Sequence, residues 1–226
     1  MNGLARTTVV VPCRDESEAV GLVVADLRAA GARDVIVVDN GSRDETATVA
    51  ARAGARVVRE ERHGYGWACV AGVRAAPDAE IVAFMDGDGS FAAADLARLA
   101  ALVACDDADL ALGARQTGAA FPLHQRAGNA ITLALLLLLY GLALADLAPL
   151  RVIRGELLRS LDMHGSRYAW LVEMLCKAAR RDARIAVLPI SYGPRRGGRS
   201  KVTGSLRASL FAGADFLRAL WLLRTW

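Results

Sequence analysis

Residues 81–90 read Ile-Val-Ala-Phe-Met-Asp-Gly-Asp-Gly-Ser, an apolar run from Ile81 to Met85 that breaks into an acidic, glycine-bearing turn. A short continuous apolar run bounded by turn residues suits a strand buried on both faces. Such strands belong to parallel sheets covered by helices. The same pattern repeats outward from this stretch in both directions. Thr7–Val11 is a β-branched run closed by Pro12, and Val35–Val38 leads into Asp39-Asn40-Gly41-Ser42. Ala55–Val58, Leu110–Leu112 and Ile185–Ile190 read as further strands, the last ended by Pro189. Between them, apolar residues at helical spacing predict helices over 16–30, 44–53, 66–76 and 91–104, with Gly31 and Gly54 stopping the first two. Alternating strands and helices predict an α/β fold, a mostly parallel sheet flanked by helices. In such sheets ligands bind in the loops after strand C-termini. Three loops of unusual composition lie there: Cys13–Glu16, Asp39–Asp44 and Asp86–Ser90.

The second half reads differently. Helices are expected over 127–144 and 168–180, followed by a loop rich in Gly and Arg (Tyr192–Lys201) and a helical tail from about Leu206. Ala130–Ala145 carries no charge, yet it is shorter than the roughly 20 apolar residues of a spanning helix. It suits a partly buried or an interfacial helix. A chain of 226 residues is long enough for one domain with a sizeable core, and 54% hydrophobic against 23% charged residues excludes wholesale disorder. The net charge of +4 fits anionic small molecules or acidic lipids and is too weak to argue for nucleic acid. Cys13, Cys69, Cys105 and Cys176 form no C-x-x-C pair, which reads as reduced, intracellular cysteine. The N-terminus has no signal-peptide pattern.

Asp86 and Asp88, one residue apart after a buried strand, can face the same side of a turn. They repel unless a cation lies between them and an anionic ligand. Mg2+ or Mn2+ takes carboxylate oxygens and completes its shell with diphosphate oxygens and water. In that role the pair would hold a nucleotide-sugar diphosphate; a solvated acidic turn is the plain alternative. Asp39–Thr46 offers acceptors for a base or ribose as well as helix caps, and Pro12, Arg14 and Glu16 lie on the neighbouring loop. His63–Ala68 is a weak glycine-bearing helix start with turn chemistry as an equal alternative. Arg195–Lys201 is a cationic loop able to contact phosphates, or simply a solvated one.

Together VVVPCRDE, VVDNGSRDET, FMDGDGS and the R-x-x-G-x-S-K loop resemble family-two inverting glycosyltransferases of the GT-A fold. More narrowly they resemble dolichol- and polyprenyl-phosphate hexosyltransferases. The resemblance runs from about Thr7 to Gly204, so residues 1–204 are expected to be the glycosyltransferase domain, and 205–226 a C-terminal amphipathic helix, packed or membrane-interfacial. It implies nucleotide contacts at Pro12, Arg14, Glu16, Val38, Asp39 and Asn40, with Asp86, Gly87 and Asp88 as the metal and diphosphate site. Arg115 is implied beside the phosphates, Arg126 (with Asn129) and Arg195 at an acceptor phosphate, Lys201 on the closing loop, and Glu173 as a candidate base. Departures are Asn40 and Ser90, where relatives often carry Asp and Gln, and Arg14 in place of an aromatic.

The resemblance implies transfer of a hexose from a GDP-mannose- or UDP-glucose-type donor to a polyprenyl phosphate. It also implies a Mg2+ or Mn2+ cofactor and a peripheral place on the cytoplasmic membrane surface. A hydroxyl acceptor with Glu173 as base is the nearest alternative. A non-catalytic nucleotide-sugar-binding module is another.

Overall fold

The chain is described by a computed structural model over residues 3–116, 123–164, 169–197 and 215–216. A short 3-10 helix (Gly3–Arg6) leads into β1 (Thr7–Cys13), α1 (Val20–Ala29), β2 (Asp34–Asp39), α2 (Thr46–Arg52) and β3 (Arg56–Arg59). Then follow α3 (Tyr65–Arg74), β4 (Ile81–Phe84), α4 (Ala93–Ala104) and β5 (Leu110–Arg115). The second half adds α5 (Leu123–Tyr140), β6 (Arg151–Arg154), α6 (Gly155–Ser160), α7 (Ala169–Ala179) and β7 (Ile185–Ile190).

The strands form one sheet in the order β3-β2-β1-β4-β6-β5-β7. All pairings are parallel except those of β6, which runs antiparallel between β4 and β5. Side chains alternate across the pleat. Val9, Val11, Val35 and Val37 pack on one face with Val20, Val24, Leu96 and Leu99 of α1 and α4. Val10, Ile36 and Phe84 pack on the other with α3 and α7, where Trp170 meets the Phe84 ring edge-on at 4.6 Å. Gly72 lets α3 approach closely, since a Cβ there would lie 2.3 Å from Val10.

Several expectations need correction. β1 continues through Pro12 to Cys13. β4 stops at Phe84, opposite Val10. Pro12 therefore lies beyond the last β1–β4 pair, where the ladder ends. β7 continues past Pro189 because it is an edge strand, where proline is tolerated. α5 begins and ends earlier than expected, closed by Gly141 at φ +68. β6 and α6 are additional. The sequence hides β6 because arginines flank its two apolar residues. One of them, Arg151, is fully buried and donates to the carbonyls of Leu147, Ala148 and Leu171. The expected C-terminal helix and the boundary at 204 lie outside the described residues, save Asp215 and Phe216. Those two are helical, and Phe216 is buried against the α3/α7 side.

Candidate active site

The strand order reverses between β1 and β4, the switch point at which such sheets open a crevice. A cavity of ≈ 260 Å³ lies there, at the C-terminal ends of the strands. Pro12, Cys13, Arg14 and Glu16 form one wall, with Asn40, Gly64, Tyr65 and Ala68 beside them. Asp86, Gly87 and Asp88 form the floor, Pro149 and Leu171 the far wall, and Arg195 reaches in from above.

The first two loops are laced together, which fixes that wall. Asp15 N–H donates to Ser42 Oγ (3.0 Å), Glu16 N–H to Thr46 Oγ1 (2.8 Å) and Ser17 N–H to Asp44 Oδ2 (3.1 Å). In return Arg43 N–H donates to Asp15 Oδ1 (2.7 Å). Burial pushes the Asp44 carboxyl up, but the donors from Thr46 and Ser17 outweigh it and hold the group at about 2. Asn40 is fastened as firmly. Its Nδ2 donates to Glu60 O (3.0 Å) and Arg62 O (2.8 Å), while its Oδ1 accepts from Gly64 N–H (2.8 Å). Asn40 thus ties the β3–α3 loop to β2 and presents that loop to the cavity.

On the floor, Asp88 is buried and Asp86 half-buried. Asp88 Oδ1 accepts from Ser90 N–H (2.9 Å) and Ser90 Oγ (2.6 Å). Arg195 donates to Asp88 Oδ2 (2.7 Å) and to Glu16 Oε1 (2.5 Å). Burial, then the neighbouring Asp88 charge, raises the Asp86 carboxyl to about 7, against the pull of Arg115 and Arg195.

Other expected residues stand elsewhere. Val38 is fully buried in the core, and its side chain faces Gly72 rather than the cavity. Asp39 is also buried, accepting from Ser42 N–H (2.9 Å) to hold the turn. Arg115 forms a two-pronged pair with Asp146 (2.8 and 2.7 Å) and lies 5.3 Å from the Tyr192 ring. It reaches Asp86 through its field and is not a wall of the cavity. Arg126 is exposed on α5. Glu173 faces away from the cavity, pairing with the buried Lys177 (2.8 Å) and accepting from His164 N–H (2.9 Å). Lys201 lies outside the described residues. Pro149 and Leu171 acquired no role from the sequence, since an apolar wall leaves no chemical signature there.

A family model for Glycosyl transferase family 2 matches residues 8–145. The chain belongs to glycosyl transferase family 2. This glycosyltransferase is 45% identical over 215 residues to an uncharacterized glycosyltransferase of Mycobacterium tuberculosis, covering 94% of this chain and 97% of the relative. A dolichyl-phosphate hexose transferase of Haloferax volcanii is 34% identical over 193 residues, covering 84% and 83%. Among solved structures, glucosyl-3-phosphoglycerate synthase from Mycobacterium tuberculosis, in complex with Mn2+, UDP and glucosyl-3-phosphoglycerate, matches with a TM-score of 0.80. It is 21% identical, over 97% of this chain and 80% of that one, a likeness that shows the fold as the expected GT-A arrangement.

Proposed function

We propose that this glycosyltransferase moves a hexose, with inversion, from a nucleotide-diphosphate sugar to a polyprenyl phosphate, using a divalent ion held at Asp86 and Asp88. The observation that carries the acceptor choice is the orientation of Glu173. A hydroxyl acceptor needs a base, and the candidate base is engaged with Lys177 away from the cavity. A phosphate acceptor is already anionic and needs none. The dolichyl-phosphate hexose transferase, similar over most of its length, supports the same choice.

The donor set suits the ion. Asp86 and Asp88 offer only carboxylate oxygens, and among the described residues no group of three or more His, Cys, Asp or Glu is placed to enclose a metal. One or two carboxylates with substrate phosphates and water is the usual Mg2+ arrangement. When bound, the ion neutralises charge on the departing nucleotide diphosphate. The chain contributes positioning and field. The laced wall from Pro12 to Glu16 and the loop held by Asn40 seat the nucleotide. Arg195 lines the cavity where the phosphates would lie, and Arg115 adds positive potential from behind Asp86.

Among the described residues no helix is long and apolar enough to cross a membrane. α5 nevertheless exposes Ile131, Leu137, Leu138 and Leu139, with Leu138 at 78%. We assign this face to the membrane surface or the acceptor's lipid chain, with the protein peripheral on the cytoplasmic side.

The test is a donor panel, including GDP-mannose and UDP-glucose, assayed with a short polyprenyl phosphate and with 3-phosphoglycerate, with and without Mn2+. Divalent-dependent transfer to the polyprenyl phosphate, lost in Asp88→Ala, is the expected result. Transfer to 3-phosphoglycerate alone would overturn the acceptor assignment.

A further inference from the structure

We infer that Arg195 is the resident cation of this site, a guanidinium that holds the carboxylate oxygen a divalent ion needs and gives it up when that ion arrives. The inference rests on the reading of Asp86 and Asp88 as metal ligands.

Glu16 and Asp88 are both buried, and buried carboxylates need a counter-charge. Arg195 supplies it to both, one guanidinium nitrogen on each. Asp88 Oδ1 is already engaged by the Ser90 amide and hydroxyl, so Oδ2 is the oxygen open to a ligand, and Arg195 covers it. A divalent ion at a coordination distance of about 2.1 Å from Oδ2 would set a second cation on the oxygen that Arg195 already holds, so the two compete for its charge. The two cations would also repel at close range in a poorly solvated site.

The backbone around Arg195 is anchored without its side chain. Gly193 N–H donates to Ser90 O (2.9 Å) and Arg196 N–H to Asp88 O (2.9 Å). The Arg196 side chain runs over Gly89, which takes φ +75, and ends on Asp26 (2.7 Å). The segment therefore stays docked on the Asp86–Ser90 loop while the Arg195 side chain swings. Glu16 keeps the other end of the guanidinium as a pivot. Release from Asp88 leaves a tethered arginine with one free edge inside the cavity, where a phosphate oxygen can take the place of Asp88. Loading the ion and freeing a phosphate-binding group thus become a single event.

Mn2+ binding without nucleotide, read from the paramagnetic resonance of the free ion, tests this in the wild type, Arg195→Met, Arg196→Met and Asp88→Asn. Arg195→Met should bind Mn2+ about tenfold tighter or more, because a competing unit charge is gone, and Arg196→Met should match the wild type. In EDTA, Arg195→Met should melt below the wild type and gain more from added Mn2+. Equal or weaker binding by Arg195→Met, with wild-type binding lost in Asp88→Asn, overturns the resident-cation role and leaves the metal site standing. Absence of Mn2+ binding from both wild type and Arg195→Met, or its persistence in Asp88→Asn, overturns the metal site itself.

Discussion

Gly87 separates the two carboxylates of the floor, and its size matters. A Cβ at this position would lie 2.2 Å from Cys13 Sγ and 3.4 Å from Val11 Cγ1. Gly87→Ala therefore pushes the floor off the end of β1 and should lower kcat/KM about tenfold or more, as small misplacements of reacting groups do. Adding Cys13→Ala removes the obstructing sulfur and should recover most of that loss. A double variant no better than Gly87→Ala would assign the loss to another cause. Glu173 makes the opposite case. Glu173→Gln deprives the buried Lys177 of its carboxylate and should cost about 3 kcal/mol in urea unfolding. Turnover per folded molecule with a phosphate acceptor should be retained, and its collapse would restore Glu173 as a base. Asp86, Asp88, Glu16 and Arg195 were legible as a group because each stands out chemically on a loop after a strand. The roles of Val38 and Asp39 were not, because the alternation that sets which residue of β2 faces inward is invisible in an all-apolar run.

At the scale of elements, the lacing between the loops after β1 and β2 predicts an acid response. Asp44 titrates at about 2 in the folded chain, against 3.8 in the ordinary case. A depressed carboxyl stabilises the fold above its unfolded value and loses that contribution as pH falls through its folded one. The melting temperature should therefore decline between about pH 4 and pH 2, and Asp44→Asn, lower at neutral pH, should converge on the wild type there. Thermal melts across that range decide it. On α5 the exposed apolar face predicts that Leu138→Asp weakens sedimentation with anionic vesicles and leaves unfolding unchanged, the side chain being 78% exposed. The parallel half was readable because each strand is a continuous apolar run between turn residues. The start of α5 was not, since His124-Gln125-Arg126 gives no apolar period. β6 escaped because nothing in Arg-Val-Ile-Arg announces that carbonyls of the preceding turn and of Leu171, 20 residues away, will receive Arg151.

For the whole molecule, β6 joins what the chain keeps apart. The family match ends at residue 145, yet β4 and β5 touch β6 and not each other. A fragment ending at residue 145 should lack cooperative thermal unfolding. The same insertion sets a timetable for synthesis. β4 and β5 emerge before their shared neighbour, and about forty further residues must be added after β5 before β6 exists, a delay of roughly 2–8 s at ordinary elongation rates. Through that interval the nascent sheet shows raw edges at β4 and β5, each able to recruit a strand from another chain. Crowded polysomes and slow translation are thus the conditions under which this protein should aggregate first, and faster translation across residues 115–154 should raise its soluble yield.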